Sequence, residues 1–514
     1  MLNFLARARQ WATYRPVLGW RCLWLLIIFL GESGLFHLAA WRCSWPDSPV
    51  EGHSSVGNIL VVADPQLTDA YSYGQHGVVL AAVQSLSDVY MRKAFTLLAP
   101  HLAPTSLLFL GDLFDGGREW DDTTQWEEEL ARFRHVFPPI LGPGGGDKGV
   151  EEVERIWVGG NHDYGFGNGV DIGKRLRWER AFGPTNSVHG YGLNTRIVVL
   201  DTVSLSASHP NISEASEHFL NAWNTTIPIT PSASSISSWS SSPQKNFTAR
   251  PILISHVPIY RKPGSGCGRA HRTGGGEITM GWGYQYQDLL TPRLSQRILS
   301  NVQPTLILSG DDHDQCEVHH SIPPSDDDSP ISAPKKALEY TVGTFSFMQG
   351  NLIPSAGLLS LFESSDGKSQ SFAYSVCYLP DQLWTYTMYG ILAAAALCHV
   401  LIARLARLRR NRRLFPFYSS SSNVPRSMIE EEEMLHLGPS YITHLPERQD
   451  RVGGGDDESS PLAPLTPSPS PSSSLFHSKR QQHLSFLVKG VGLDVIRILP
   501  FPLCLYLFLH WYYM

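Results

Sequence analysis

The sequence predicts an α/β domain framed by membrane-spanning helices. Two observations point to the domain. Short, unbroken apolar runs rich in branched residues recur from Asn58 to about Leu361, and each run ends in a polar cluster. A third observation points to the frame: three longer apolar stretches lie near the ends of the chain. The 514 residues are enough for two to four domains, and a composition 42% hydrophobic and 17% charged can bury a large core. A formal net charge of −6 gives no reason to expect a nucleic-acid partner.

The first apolar stretch, residues 17–41, contains LWLLIIFLG and follows Arg7, Arg9 and Arg15. It also holds Arg21 and Glu32, which cost free energy in lipid. A cleaved signal peptide is the competing reading, but the apolar block comes late and no small-x-small cleavage site follows it. The second stretch, residues 383–403, has no Asp, Glu, Lys or Arg, and a run of arginines from Arg404 to Arg413 follows it. That asymmetry puts residues 404–495 in the cytosol. The third, residues 496–514, carries Pro500 and Pro502 and ends in Trp511, Tyr512 and Tyr513, which suit an interfacial belt. One topology fits all three: residues 1–16 cytosolic, 42–382 lumenal, and the last helix returning to the lumen. Sequons at Asn211, Asn224 and Asn246 all fall in the lumenal part. So do Cys43, Cys267, Cys316 and Cys377, which can form disulfides there in pairings the sequence leaves open. No CxxC or zinc-ribbon spacing is present.

Within the domain, Ile59–Ala63, Leu107–Leu110, Ile156–Val158, Ile197–Leu200, Ile252–Ile254 and Leu306–Leu308 read as strands buried on both faces. Gly77–Leu98 and Thr123–Phe137 carry helical character between them. Residues 204–249, rich in Ser, Thr and Pro, read as an exposed insertion. Residues 416–478, with the acidic run from Glu430 to Glu433 and a Pro/Ser run, cannot bury enough apolar area to fold and read as a disordered cytosolic loop. Residues 340–350 read as a closing strand and turn.

The chemistry sits where the strands stop. The first is followed by Asp64-Pro-Gln66 and the second by Gly111-Asp112-Leu113-Phe114-Asp115. The third is followed by Gly160-Asn161-His162-Asp163, the fifth by His256, and the sixth by Gly310-Asp311-Asp312-His313. In open α/β sheets ligands bind outside the carboxyl ends of strands, so these side chains are expected to converge on one cleft. Carboxylates, an amide oxygen and imidazoles suit divalent ions such as Mn²⁺, Fe²⁺ or Zn²⁺. A bridging carboxylate can hold two of them ~3.5–4 Å apart, which clamps a phosphoryl group and activates water.

This ordered set of motifs, over about Asn58–Phe362, resembles the calcineurin-like metallophosphoesterase superfamily. The resemblance implies a β-sandwich flanked by helices and two bound metal ions. It makes Asp112 the carboxylate bridging both ions, Asp64 and His313 ligands of the first, and Asn161 and His256 ligands of the second. It makes His162 the catalytic histidine that contacts phosphate and protonates the leaving group, with Asp115 and Asp163 in supporting roles. Two positions depart from the pattern: Gln66 stands where the first motif has His, and Asp311 stands where the last motif has its first His. Their ligand roles stay open, and the exchange of nitrogen donors for an oxygen anion favours Mn²⁺. ADPQL, GDLFDGGREW, GNHDYG, SHVPIYR and SGDDHDQCEVHH look like the fungal branch of the GPI-glycan remodelling phosphoesterases. That likeness implies removal of ethanolamine phosphate from a mannose of a GPI-anchored glycolipid, with Mn²⁺, in the endoplasmic reticulum or Golgi membrane. A lumenal phosphoesterase of another substrate and a non-catalytic sorting adaptor are the alternatives.

Several residues lie beside the motifs. Arg118 and Arg261 are candidates to bind substrate phosphate. Residues 264–276 are a candidate lip over the site. His319 and His320 read as ordinary surface or core histidines.

Overall fold

The computed structural model describes residues 17–74, 77–142, 152–223, 229–231, 249–268, 276–323, 335–414, 488–489 and 491–514. The expected cytosolic N-terminus, the sequons at Asn224 and Asn246, and the Pro/Ser-rich loop lie outside them, as does 269–275 of the candidate lip.

All six predicted runs fall in strands. In chain order the strands are β1 (Ser54–Val62), β2 (Ser106–Leu110), β3 (Glu154–Val158), β4 (Ser187–Tyr191), β5 (Thr195–Leu200), β6 (Ile229–Pro231) and β7 (Ile252–Ser255). They continue with β8 (Trp282–Gly283), β9 (Tyr286–Gln287), β10 (Leu306–Ser309), β11 (Cys316–Ser321), β12 (Lys336–Thr341), β13 (Ser355–Glu363) and β14 (Gln370–Tyr378). They form two sheets, ordered β14-β13-β1-β2-β3 and β11-β12-β10-β7-β5-β4-β6, and a small β8-β9 hairpin.

The unbroken apolar runs follow from burial on both faces, because successive side chains of a strand point to opposite sides. Ile59, Val61, Leu108, Leu110, Ile156 and Val158 of one sheet pack against Ile252, Ile254, Leu306 and Leu308 of the other. Their alternates Leu60, Val62, Leu107 and Phe109 turn outward to helix-borne Phe95, Leu98 and Phe133. Those helices are Gly77–Leu102 and Thr123–Val136, within four residues of their expected ends. The result is the expected sandwich with helices on its faces.

One expectation needs correction. Residues 204–249 are not wholly an exposed insertion, because Pro210–Ala222 is a helix with Ile212, Phe219 and Leu220 buried. Proline at its first position has no helical hydrogen bond to lose there. Asn211 is exposed on this helix while Ser213 of its sequon is buried.

Among the described residues, three helices are long and apolar enough to cross a membrane: Val17–Arg42, Gln382–Arg410 and Val491–Tyr513. The first widens into a π-helical turn at Leu30–Gly34, around Glu32. There Glu32 Oε2 meets Lys93 Nζ at 3.0 Å, with both side chains buried, and Glu32 Oε1 accepts from Tyr389 Oη at 3.2 Å. The charge that looked costly in lipid is therefore compensated by the chain itself. Disulfides join Cys43 to Cys377 and Cys267 to Cys316. The free cysteines Cys22, Cys398 and Cys504 all lie on the candidate membrane helices.

Candidate active site

β1, β2 and β3 run parallel in one sheet, and β7 and β10 run parallel in the other. Their carboxyl ends meet at one rim of the sandwich. The backbone pays locally for this convergence: Asp64, Gln66, Asp112, Asp311 and His313 all have positive φ, at 45°, 37°, 46°, 67° and 64°. Such conformations cost about 1–3 kcal/mol each and persist where the surroundings impose them. Two glycines show how tight the closure is. A Cβ on Gly111 would strike the His256 ring, and one on Gly160 would strike the Asp112 carboxylate.

His256 ties the sheets together and reveals one donor set. Its Nδ1 faces the carbonyl of Leu110 at 3.0 Å, so Nδ1 carries the proton and donates. Its Nε2 then points at three oxygens: Asn161 Oδ1 at 3.0 Å, Asp112 Oδ1 at 3.3 Å and Asp311 Oδ1 at 3.5 Å. The Asn161 amide is oriented by Nδ2, which donates to the Gln285 carbonyl at 3.2 Å. Lone pairs from four side chains thus meet at one point. Asp112, Asp311 and Asp64 outweigh the burial of His256 and raise its pKa well above the ordinary value, so the cluster attracts positive charge.

A second donor set shares Asp112. Ligand atoms of Asp64, Asp112 and His313 lie within 4.8 Å of one another, as do those of Asp112, His256 and Asp311. Burial raises the Asp64 carboxyl and lowers His313. Buried carboxylates this close cost several kcal/mol unless compensated. A divalent cation in each set would do so, and the mix of carboxylate, amide and imidazole fits one. The structure brings together all the expected ligands except Gln66, whose Nε2 donates to Asp112 Oδ2 at 2.9 Å. Gln66 therefore orients the Asp112 carboxylate. Asp311, whose role was open, sits in the set with His256.

The supporting residues are equally defined. His162 donates from its backbone to Asp112 Oδ1 at 2.8 Å, and its ring Nδ1 donates to the Asp115 carbonyl at 2.6 Å. Asp163 accepts from the backbone of Leu113, Phe114 and Gly160 and so fixes both loops. Arg118 stands beside His162, its backbone N–H donating to the His162 carbonyl at 2.8 Å. Arg261 does not reach the site. Its side chain is 1% exposed and bound to Glu339 at 2.9 Å and to Cys316 Sγ at 3.0 Å. His320 meets the same Glu339 at 2.6 Å, so it is a core histidine, and His319 is exposed.

The closing strand and turn expected at 340–350 also support the site, which the sequence did not reveal: the Thr344 hydroxyl donates to the Asp64 carbonyl at 2.7 Å and the nearby Asn351 amide to the His313 carbonyl at 2.9 Å. Sequence reasoning missed the β8-β9 hairpin that meets Asn161. The density of Gly, Trp and Tyr from Gly281 to Tyr286 was the available signal for that hairpin.

Residues 57–315 match the family model described as calcineurin-like phosphoesterase. The chain is 34% identical over 391 residues to Cell division control protein 1 of Saccharomyces cerevisiae, covering 73% of this chain and 72% of that one. The chain is a calcineurin-like phosphoesterase. It is also 27% identical to Metallophosphoesterase 1 of Cricetulus griseus over 74% of this chain and 88% of the relative. Metallophosphoesterase 1 of Mus musculus gives 27% over 73% and 86%. The phosphoesterase is thus a hydrolase of phosphoric esters whose Asp and His clusters can hold divalent metal ions.

Proposed function

We propose that this phosphoesterase removes ethanolamine phosphate from a mannose of GPI anchors, and so supports maturation and transport of GPI-anchored proteins. The observation that carries the hydrolytic part is the pair of donor sets sharing Asp112. The likeness to the GPI-glycan remodelling phosphoesterases supports the substrate. The ligands are Asp64, Asp112 and His313 for one ion, and Asp112, Asn161, His256 and Asp311 for the other. Mn²⁺ suits a set this rich in oxygen. Two ions held there supply Lewis acidity toward the phosphoryl oxygens and lower the pKa of water.

The chain's own residues do the rest. In the reaction a water oxygen bonds to phosphorus and releases a proton to solvent, the bond from phosphorus to the sugar oxygen breaks, and that oxygen takes a proton. His162 is placed to give it. Its Nδ1 is committed to the Asp115 carbonyl, which fixes the ring and leaves Nε2 for the leaving oxygen. Arg118, next to His162, is placed to meet a non-bridging phosphate oxygen. The catalytic domain is lumenal and the chain multi-pass in the endoplasmic reticulum or Golgi membrane. The two disulfides within residues 42–382 and the arginine run after the second membrane helix support that placement.

The test is mass spectrometry of GPI glycans from cells whose only copy carries Asp112→Asn. Anchors that keep an extra ethanolamine phosphate are expected, and the mass pattern identifies the mannose. Glycans identical to wild type, with the variant stably made, would overturn the GPI assignment.

A further inference from the structure

Among the described residues, the β8-β9 hairpin carries strongly exposed aromatics of the catalytic domain, and it meets Asn161 of the site. Trp282 is 76% exposed and Tyr284 64% exposed, and nothing in the phosphoester chemistry uses them. The two outer aromatics differ from the third. The Tyr286 ring lies over Gly283, where a Cβ would strike it, so Tyr286 packs the hairpin itself. Trp282 and Tyr284 remain turned to solvent.

The hairpin is anchored on both sides of the site. The Gln285 carbonyl accepts from Asn161, and the Gln285 side chain packs on Gly165 and Gly169 at the end of the His162 loop. At the hairpin's base Asp288 feels Asp311, which together with burial raises its carboxyl pKa. Gln285 holds φ at +54°, the same strained region used by the metal-ligand residues. The Arg118 guanidinium lies 5.9 Å from the centre of the Tyr284 ring, within cation–π range. Tyr71, itself 58% exposed, is close enough to Glu119, Tyr284 and Arg118 to feel their charges. Exposed aromatic side chains thus lie beside Arg118 and on the hairpin that meets Asn161.

What chemistry fits these aromatics? An aromatic face is apolar and carries negative quadrupole charge. A pyranose presents an apolar face of C–H groups with slight positive charge and a rim of hydroxyls, which tyrosine hydroxyls and a guanidinium can meet. We propose that Trp282 and Tyr284, beside Arg118, form the subsite for the sugar ring that carries the scissile phosphate. The inference rests on the glycan reading of the substrate and names the residues that would select it. A membrane contact is the competing use of exposed Trp and Tyr. However, the domain meets its membrane helices through Gly77–Leu102, where Ser85 bonds His510 at 2.7 Å and Tyr90 packs on Phe36 at 5.3 Å.

The experiment uses the full chain in detergent with Mn²⁺ and compares two soluble diesters, mannose 6-phosphoethanolamine and glycerophosphoethanolamine. Both lose ethanolamine phosphate, but only the first has a ring. Wild type is expected to show the lower KM for the mannose ester. Trp282→Ala with Tyr284→Ala should raise that KM roughly tenfold more than it changes the glycerol ester, the size expected for two lost stacking contacts. Trp282→Phe with Tyr284→Phe should restore it. The glycerol ester reports whether the variant still folds around its metals. If wild type cleaves the mannose ester and the alanine variant matches it on both esters, the subsite is wrong while the proposed function stands. If wild type cleaves neither ester yet hydrolyses bis(p-nitrophenyl) phosphate, the glycan reading falls and the subsite with it. If the variant is impaired only on substrate held in phosphatidylcholine vesicles, the hairpin is a membrane contact and the subsite is overturned.

Discussion

Two clusters of charge meet at the end of β10, where Ser309 belongs to one and Asp311 to the other. Around Asp112 three carboxylates converge, with Asp64 and Asp311, and the facing groups are the imidazoles of His256 and His313. Around Glu339 a single carboxylate is met by the Arg261 guanidinium, by His320 and by the Ser309 hydroxyl at 2.8 Å. Glu339 is fully buried, as are Asp64, Asp112 and His256, while Asp311 and His313 are partly exposed, and burial opposes charge in each cluster. The Glu339 set brings its own cation and is complete. In the Asp112 set three carboxylates face two imidazoles, on strained backbone. Burial plus charge is therefore a poor marker of function, whereas an excess of donors over partners is a good one.

The comparison can be broken most forcefully at Asp112. Asp112→Asn should take bound metal from about two equivalents per chain to nearly none, because one carboxylate serves both sets. Turnover should fall ~10³-fold or more, the scale of losing a main electrostatic stabiliser. Retention of one full equivalent by the purified variant would show that Asp112 does not bridge.

The Glu339 cluster should respond in the opposite way. Arg261→Ala takes the guanidinium from a buried carboxylate and leaves it His320 and the Ser309 hydroxyl, which costs up to about 3–5 kcal/mol of stability. Metal per folded chain should hold, and the thermal midpoint in detergent should drop by several degrees. A variant of normal stability with weakened substrate binding would restore Arg261 as a phosphate contact. Acid sharpens the same point. Burial would raise Glu339, but Arg261 and His320 hold it down at about 2. A depressed carboxylate stabilises the fold above its unfolded value of 4.5, and that contribution is lost as pH falls toward 2. The difference is on the order of 3 kcal/mol. Glu339→Gln should flatten the stability profile across that window, and an unchanged slope would mean the pairing is not what holds Glu339 charged.

The sequence made the Asp112 cluster legible because its residues sit at the ends of strands whose apolar runs stand out. Those strands are buried on both faces, so their composition is unmixed. The others are less visible: β11 reads CEVHHS and β14 reads QSFAYSVCY, each half polar because one face meets water or the sheet edge. The helix Pro210–Ala222 hid in a Ser-rich stretch, although Ile212, Ser216, Phe219 and Leu220 keep helical spacing. Arg261 was misread because its partner is 78 residues away, and a lone basic residue after a motif looks like a site. Asp311 stayed open as a ligand because it stands where a histidine is usual, and its carboxylate faces His256 at 3.5 Å.

Gln66 is the finest test, because it lies between the two kinds of cluster. It replaces a histidine but uses its amide nitrogen on Asp112 Oδ2, so it works as a partner of the ligand. A partner that orients a ligand is worth 10–100-fold in metal affinity. Gln66→Ala should therefore weaken metal binding about 10-fold while the saturated protein still holds two equivalents. A stoichiometry of one at saturating Mn²⁺ would instead make Gln66 a ligand in its own right. The first donor set would then contain four side chains, and the strain at its φ of 37° would serve coordination directly.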